Sequence, residues 1–525
     1  MTAANGGGHA PEDDSPRLIQ ARRGFSLSYQ GKTLLSRVDP QAQADRIALA
    51  APKHERALYF CPSPLLGYGL QRLLEGLAAD SAVLCVEADQ RLMALSQEAM
   101  ANLLRDHPRL ALVRTDDPAS LCAYVRKRWG SRRFRRLETL RLSGGWQLAG
   151  DCYQALAGAL RREIALDWGN AMTLVKLGRR YLYNALRNLR LICRTPRLET
   201  LNFGASPVLL LGAGPSLDGM LDGLVRRFGD LSLPASDRRG AAGSFRIICV
   251  DTALPALRAR NIRPDLAVAL ESQHWNLRDF IGLGDWEVPL AMDLSALPAT
   301  AGMLGGRPLL FFTPWTRLDI WDRLEAAGLL PERFPALGSV GLSAATLARR
   351  LSSGPIVIGG IDFSFTLDSF HARSTPSRLE LLRRQDRFHS LINAGAAFRP
   401  GSFPARSKTG LRVRSDPALR GYRDLFEEYF GGDSRFWDIA GQGLPLGAQT
   451  AAMERAFDVL ESPCQDQGAV CAVEYPAPDA AQGALRAFIQ QEREALITLR
   501  GILQGEIAVP LQDLERALDR AGYLW

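Results

Sequence analysis

The sequence predicts an α/β protein in which a mostly parallel sheet forms the central domain, with a small α/β N-terminal domain and a helical C-terminal region. Short apolar runs of strand length alternate with helical patterns, which is typical of parallel strands joined by crossover helices. One run, residues 207–211, meets a glycine turn at 212–216, and a helical pattern follows. This order of strand, glycine turn and helix indicates a Rossmann-like sheet.

The chain of 525 residues is long enough for about three domains. Composition and periodicity divide it into five parts. We expect a disordered head at 1–23, a small α/β accessory domain at 24–115, a basic helical linker at 116–205, a Rossmann-like catalytic domain at 206–449 and a helical region at 450–525. In the catalytic domain the strand candidates are residues 207–212, 246–251, 266–271, 308–312 and 356–362.

The composition, 46% hydrophobic and 23% charged with a net charge of +8, favours an anionic partner without selecting one. The N-terminus lacks the profile of a signal peptide, and no apolar run approaches the roughly 18 residues of a membrane span. The eight cysteines are scattered without a C-x-x-C pair, as expected for reduced thiols. We therefore expect a cytoplasmic protein without a membrane span.

The basic run at 126–136 has no recognised aromatic-interleaved motif, so we expect no nucleic-acid partner.

The glycine turn has the residues of an anion site. Gly212 and Gly214 would let an anionic group approach the main chain. Pro215 suits a first helical turn, where free N–H groups favour a phosphate, and Ser216 adds a hydroxyl. Leu217 replaces the third glycine of the dinucleotide fingerprint, and no Gly-Lys-Ser/Thr follows. The turn thus predicts a phosphate site unlike the usual NAD or Walker loops, and a purely structural turn is the alternative.

Polar residues follow two further strand candidates. Asp251 and Thr252 end the second strand, where an acid often binds ribose hydroxyls, although Asp251 lies 37 residues after Gly214. The alternative for Asp251 is a helix cap. Glu271 and Gln273 follow the third strand. Since the carboxyl edge of a parallel sheet binds ligands, we expect substrate contacts there.

Later segments add a candidate acid and base. Ser339 precedes a helical pattern, and Asp362 and Ser364 end a buried strand, where the acid could hold a metal, a sugar hydroxyl or a base. His371 follows in a polar loop, and the pKa of histidine suits a general base. A basic segment carries Arg406, Lys408, Arg412 and Arg414. It is either a cover for a phosphate or a solvated loop.

These stretches resemble a known family. The motifs LLLGAGPSLD, VDTALPALRARNIRPDLAVALESQ, GSVGLSAATLA, IVIGGIDFSF, a loop histidine and YRDLFEEYF…WDIAGQGLPLGA occur in the order seen in motility-associated factor (Maf) proteins. Maf proteins share a domain with archaeal 6-hydroxymethylpterin diphosphokinase, the MptE-like domain. The resemblance covers roughly residues 24–450.

The resemblance implies a glycosyltransferase that moves a nonulosonic, sialic-acid-like sugar from a CMP-activated donor to Ser/Thr hydroxyls of a protein such as flagellin. The CMP-sugar is then the donor substrate, and no further cofactor or metal is needed. Residues 212–216 would hold the CMP phosphate and Asp251 and Thr252 the ribose or base. Asp362 would position the sugar or acceptor, and His371 would deprotonate the acceptor hydroxyl.

Two alternatives stay open. The same domain implies an ATP-dependent diphosphokinase that uses Mg2+, and a non-catalytic flagellar accessory protein is the third possibility. Three observations favour the glycosyltransferase. The chain has large N- and C-terminal additions, it lacks the dense acidic cluster that a two-magnesium reaction favours, and it has one plausible base, His371.

Overall fold

A computed structural model describes residues 15–130, 133–316, 318–391, 401–461 and 478–524. The chain divides into two compact units, residues 1–173 and 174–525. The predicted α/β class is confirmed, with a large parallel sheet, a smaller N-terminal sheet and helices at the C-terminal end. Most of the predicted head, 1–14, and the cysteines Cys464 and Cys471 lie outside the described residues.

The first unit contains two sheets. Its strands are β1 (Arg17–Gln20), β2 (Phe25–Tyr29), β3 (Lys32–Thr33), β4 (Ala57–Pro62), β5 (Ala82–Glu87), β6 (Leu110–Arg114) and β7 (Arg136–Thr139). The first three form an antiparallel sheet, and the others form a parallel sheet in the order β6-β5-β4-β7. All residues of β4 and β5 are buried, as expected for central parallel strands covered on both faces.

The helices of the first unit are α1 (Pro40–Ala50), α2 (Leu70–Gly76), α3 (Gln90–Ala99), α4 (Ala101–Asp106) and α5 (Pro118–Trp129). Two strands lie outside the predicted α/β segment 24–115. Strand β1 precedes it, within the expected head, and β7 follows it, within the expected helical linker. Strand β7 has the sequence RLET, which is too short and polar to show an apolar run.

The strands of the second unit are β8 (Val208–Leu211), β9 (Arg246–Val250), β10 (Leu266–Ala269), β11 (Leu290–Asp293), β12 (Pro308–Phe311), β13 (Ile356–Gly359), β14 (Phe403–Arg406), β15 (Arg412–Ser415), β16 (Phe436–Ile439) and β17 (Gln449–Ala451). Eight form a parallel sheet in the order β12-β11-β10-β9-β8-β13-β16-β17, and β14 and β15 form a hairpin. Each of the five strand candidates contains a strand of this sheet.

The remaining helices are α6 (Gly150–Ile192), α7 (Leu217–Phe228), α8 (Leu254–Arg258), α9 (Asp319–Ala326), α10 (Val340–Leu351), α11 (Pro376–Arg384), α12 (Pro417–Phe430), α13 (Met453–Leu460), α14 (Pro478–Leu503) and α15 (Leu511–Arg520). The boundary between the two units falls within α6. Local sequence fixes several helix starts. At α12, for example, the Asp416 carboxylate accepts the N–H of Leu419 at 2.9 Å, and Pro417 occupies the first turn.

The order of strands creates a switch point beside β8. The chain runs from β8 outward to β12 on one side, then crosses to β13 on the other side of β8. At such a point the loops that leave neighbouring strands diverge, which opens a crevice at their carboxyl ends. The glycine turn follows β8 and Asp362 follows β13, so both lie at this crevice.

Helix α6 anchors the loops at the same edge of the sheet. The amide Nδ2 of Asn184 donates to the carbonyls of Ser272 and Ser295, at 3.0 and 3.1 Å. The amide of Asn188 donates to Leu294 and Ala296, both at 2.9 Å. These buried bonds satisfy loop carbonyls that would otherwise lack partners.

In the described part of the chain, no helix is both long enough and apolar enough to cross a membrane.

Candidate active site

A cavity of about 210 Å3 opens at the carboxyl ends of β8, β9 and β13. Its walls come from the glycine turn, the end of β9, the start of α10, the loop after β13 and the following loop. Seven predicted site residues line it: Gly212, Gly214, Thr252, Ser339, Asp362, Ser364 and His371. Among these seven residues, Gly212 and His371 are the farthest apart in the sequence, by 159 positions.

The two glycines of the turn allow the ends of β8 and β13 to touch. The N–H of Gly212 donates to the Gly359 carbonyl at 2.8 Å, and the N–H of Gly214 donates to the Gly360 carbonyl at 2.7 Å. A Cβ at Gly212 would collide with the Gly360 carbonyl, and a Cβ at Gly214 with the Asp362 carboxylate. The glycines therefore serve the close packing of two turns, whatever else they bind.

The Asp362 carboxylate occupies the first turn of α7. Its Oδ2 accepts the N–H of Ser216 at 2.8 Å, and its Oδ1 accepts the Ser216 hydroxyl at 2.6 Å. A carboxylate is favoured there because the helix N-terminus carries positive partial charge. The N–H and the hydroxyl of Ser216, the latter assigned to a phosphate from the sequence, are thus engaged by Asp362. Neither Ser216 nor Pro215 lines the cavity.

Behind Asp362 lies a buried ion pair between Lys408 and Asp438. The side chains are only 4% and 1% exposed, and the Lys408 ammonium bonds directly to Asp438. Burial raises the pKa of Asp362, while Lys408 acts in the opposite direction. Burial likewise raises the pKa of Asp438 to about 6, against the effect of Lys408. Two carboxyls thus share one ammonium in a low-dielectric region.

The loop after β16 closes around this cluster. The N–H of Leu444 donates to the Asp362 carbonyl at 2.8 Å, and the N–H of Lys408 donates to the Gly443 carbonyl at 2.8 Å. The Ser364 hydroxyl donates to the Gln442 carbonyl at 2.9 Å. A Cβ at Gly443 would lie 2.8 Å from Asp362 Oδ1, so this loop must also be small to fit.

The basic segment 406–414 is a hairpin, and its members have separate roles. Lys408 is buried in the charge cluster. Arg414 donates to the carbonyl and hydroxyl of Ser402, at 3.0 and 2.8 Å, and Arg406 donates to the Gly410 carbonyl at 3.0 Å. Arg412 is exposed. The segment is therefore not a solvated loop along its whole length. It also does not present all of its basic side chains to a phosphate, because Lys408 is buried beside Asp362 and Asp438.

Asp251 is buried beside the cavity and does not line it. Its Oδ1 accepts the N–H of Thr252 at 2.8 Å. The Thr252 hydroxyl lies 3.3 Å from oxygens of both Asp251 and Asp279. Burial, and then the charge of Asp279, raises the pKa of Asp251 to about 7, and burial raises the pKa of Asp279 to about 6. Because both pKa values are raised, Asp251 and Asp279 favour a state near neutral pH in which one of the two carboxyls is protonated.

Glu271 and Gln273 lie away from the cavity. Glu271 is exposed, and its Oε1 accepts the N–H of Gln273 at 2.9 Å. Strand β10, which precedes them, is two strands away from β8. The neighbouring His274 is exposed and packs against Trp275, with ring centroids 4.3 Å apart. The structure therefore does not bring these two residues to the other candidates.

His371 lines the cavity in the loop that leads to α11. Its Nδ1 lies 3.3 Å from the Ser377 hydroxyl. The next residue, Ala372, donates its N–H to the Ala213 carbonyl at 3.0 Å, which fixes the loop to the glycine turn. The imidazole thus lies beside the same turn that carries Gly212 and Gly214.

The sequence reasoning did not single out Asp438, Asp279 or Ser377. Asp438 lies in FWDIAGQG, an apolar strand pattern with an acid and a glycine close by, so a signal was present. Asp279 had no such signal. Across the described ranges, no group of three or more His, Cys, Asp or Glu side chains is placed to hold a metal ion.

Comparison with known proteins matches this chain to a family model, to a curated relative and to solved structures. A family model described as "6-hydroxymethylpterin diphosphokinase MptE-like" matches residues 183–368. An uncharacterized protein of Treponema pallidum (strain Nichols) is 30% identical over 534 residues, which cover 97% of this chain and 89% of that protein. The structure of a Maf glycosyltransferase from Magnetospirillum magneticum AMB-1 aligns with a TM-score of 0.52 and 15% identity, over 92% of this chain and 74% of that one. The last match shows a shared fold.

Replacing Lys408 by Met should strongly destabilise the protein, because two buried carboxyls then lose their cation. We expect the free energy of unfolding at pH 8 to fall by about 3–5 kcal/mol. The loss should be smaller at pH 5, where Asp438, with its pKa of about 6, is protonated. Urea unfolding at both pH values measures this. The exposed Lys176→Met is the control, and equal stability of Lys408→Met and wild type at pH 8 would contradict the prediction.

Asp251→Asn should change how stability depends on pH. The folded protein keeps the Asp251 proton up to about pH 7, whereas an unfolded carboxyl releases it near pH ~4. The wild type therefore loses stability as pH rises through this window, and the variant lacks the contribution of Asp251 to that loss. Relative to wild type, Asp251→Asn should gain roughly 1–3 kcal/mol between pH 5 and pH 8 in urea unfolding. The exposed Asp322→Asn should show no such gain, and a pH-independent difference for Asp251→Asn would count against the buried pair.

Proposed function

We propose that this chain is a glycosyltransferase. It belongs to one family with the uncharacterized Treponema protein, it carries an MptE-like domain at residues 183–368, and it has the fold of a Maf glycosyltransferase. Its donor is a CMP-activated nonulosonic acid and its acceptor is a Ser or Thr hydroxyl of a protein, with flagellin the first acceptor to test. The observation that carries this proposal is the cavity at the switch point of the sheet. It joins a glycine turn, a helix start and a candidate base.

The donor phosphate would bind between the glycine turn and the start of α10. Ser339, Val340 and Gly341 line the cavity there, and α10 is 12 residues long. The N-terminal end of such a helix favours an anion. The corresponding end of α7 already holds the Asp362 carboxylate, and a phosphate beside it would meet like charge. Thr252, on the cavity wall, would contact the ribose or base.

The proposed transfer is a displacement at the anomeric carbon that needs no metal. The acceptor oxygen forms a bond to that carbon, the bond from the carbon to the phosphate oxygen breaks, and CMP leaves. His371 would take the acceptor proton. With Nδ1–H donated to the Ser377 hydroxyl, Nε2 is the atom that would receive this proton. The start of α10 would stabilise the charge on the departing phosphate.

Asp362 would act as a positioning residue. Both of its carboxylate oxygens are held by Ser216, so its main effect is to fix the glycine turn that forms one wall of the cavity. The Lys408–Asp438 pair supports it from the buried side. This differs from a direct contact with sugar or acceptor, which the sequence had suggested for Asp362.

A diphosphokinase is the second candidate, and the MptE-like match favours it. That match includes the glycine turn and Asp362 but ends at residue 368, before His371, Lys408 and Asp438. Such an enzyme would bind ATP with Mg2+ at the same cavity. The glycosyltransferase proposal assigns proton transfer to His371 and support of the glycine turn to the Lys408–Asp438 pair. These three residues lie outside the match.

Calorimetric titration with CMP, and separately with ATP plus Mg2+, tests the two candidates. We expect CMP to bind. With CMP-pseudaminic or CMP-legionaminic acid, purified flagellin should gain the mass of one or more sugars. Binding of ATP with Mg2+ but not of CMP, together with diphosphate transfer to 6-hydroxymethylpterin, would instead identify the diphosphokinase.

His371→Ala should abolish most transfer and leave the nucleotide in place. Loss of a general base lowers turnover by roughly 10²–10⁴-fold, while the CMP dissociation constant should change little because His371 is assigned to the acceptor. Turnover and CMP titration measure the two effects. The matched control is His389→Ala, whose imidazole is 76% exposed on the same segment. Unchanged turnover in His371→Ala would remove His371 from the mechanism.

A further inference from the structure

Exposed apolar side chains are concentrated at the edge of the large sheet that carries the cavity. Among the described residues between 206 and 449, ten large hydrophobic side chains are exposed. Six of them lie in the connections that leave the carboxyl ends of β10 and β13: Trp275, Ile281, Leu367, Leu379, Leu382 and Phe388. The other four are Val225, Leu233, Leu411 and Tyr429. Single exposed hydrophobic residues are normal, whereas a concentration of them marks an interaction surface.

An ion pair joins these two connections. Arg278, in the 3-10 helix after β10, pairs with Glu380 of α11 at 3.3 Å. Exposed apolar residues lie close to both partners in the chain, at positions 275 and 281 around Arg278 and at positions 379 and 382 around Glu380. We refer to these four residues as the rim surface: Trp275, Ile281, Leu379 and Leu382.

The part of the rim surface that follows β10 rests on a buried base. Trp275 is 61% exposed and Ile281 is 73% exposed, but Asn276, Asp279 and Phe280 between them are buried. The Trp275 ring also packs against His274, with centroids 4.3 Å apart. The fold therefore holds a tryptophan at the surface on an anchored segment. Tryptophan is among the residues that contribute most to binding energy at protein interfaces.

Two contacts link the rim surface to residues that line the cavity. On the β10 side, the Asp279 carboxylate lies 3.3 Å from the hydroxyl of Thr252. On the α11 side, the Ser377 hydroxyl lies 3.3 Å from Nδ1 of His371. None of the four rim residues lines the cavity itself. A molecule bound on the rim surface would thus lie outside the cavity and beside the candidate base.

The exposed charges around the rim surface are mainly positive. Residues 271–281 and 373–384 carry four exposed arginines: Arg278, Arg373, Arg383 and Arg384. Apart from the buried Asp279, their carboxylates are Glu271 and Glu380, and Glu380 is shared by Arg278 and Arg384. An apolar surface with an excess of positive charge complements a polypeptide that offers apolar side chains and carboxylates.

We propose that the rim surface docks the acceptor protein, through a segment near the modified Ser or Thr that carries apolar side chains and at least one carboxylate. The choice of a protein acceptor rests on the proposed function. Trp275 is the anchor of this contact. The donor in the cavity and the acceptor on the rim surface are then bound by separate residues.

Trp275→Ala and Leu382→Gln test the surface with purified flagellin as the probe. We expect Trp275→Ala to raise both the flagellin dissociation constant, measured without donor, and the KM for flagellin by about tenfold or more. Leu382→Gln should have a smaller effect in the same direction. The KM for the CMP-sugar, the release of CMP without acceptor and the melting temperature should match those of wild type, because both side chains are exposed outside the cavity.

The matched control is Leu233→Ala, which truncates an exposed leucine between α7 and β9, away from the rim surface. It should match wild type in every measurement. Arg383→Glu tests the charge, with the exposed Arg239→Glu as its control. Arg383→Glu should weaken flagellin binding severalfold in about 0.05 M salt and much less in about 0.5 M salt, since salt screens exposed charges. Equal binding by these two variants would overturn the assignment of an acidic partner.

The outcomes separate the docking surface from the proposed activity. Sugar transfer with an unaltered flagellin KM in Trp275→Ala and Leu382→Gln would overturn the surface and leave the glycosyltransferase in place. Flagellin that binds through Trp275 but receives no sugar from wild type would support the surface and reject the glycosyltransferase.

Three further results would also overturn the docking surface. The first is a wild type that does not bind flagellin. The second is self-association of wild type that Trp275→Ala abolishes, because a second copy of the chain would then occupy the surface. The third is a lower melting temperature with a raised KM for both substrates, which would assign the residues to the fold.

Discussion

The second unit depends on the contact between the turn after β8 and the turn after β13. The two turns meet there so closely that Gly212 and Gly214 have no room for a side chain. The Asp362 carboxylate completes the contact through two bonds to Ser216. The cavity wall, the direction of α7 and the position of the loop that carries His371 all follow from this junction, because Ala372 is bonded to the same turn.

The junction also determines the electrostatics of the site. A carboxylate at the start of α7 interacts favourably with the helix but leaves that helix end unavailable to another anion. The cation that accompanies it, Lys408, is shared with Asp438 and is almost completely buried. In the proposed function, the start of α10 is therefore the helix end that would face an anionic group of the substrate.

The sequence predicted the fold class and much of the cavity, because a polar residue after an apolar run marks the carboxyl edge of a parallel sheet. Asp362 and Ser364, which this rule selected, line the cavity. The rule does not give the order of strands, so it placed Glu271 at the site although β10 is two strands from β8. Composition also could not reveal that Lys408 is buried. A basic segment is expected to be exposed to solvent, and the sequence does not show that the carboxylate of Asp438 pairs with Lys408.

The contact between Ser216 and Asp362 joins residues 146 positions apart in the chain. Long-range contacts of this kind form late, since the intervening chain must be ordered before its ends can meet. Synthesis proceeds from the N-terminus, so a ribosome-bound chain that has emerged only as far as β12 has its glycine turn but neither β13 nor Asp362. The cavity thus comes into existence only after the second half of the sheet has been translated. Until then the growing polypeptide carries only part of its walls.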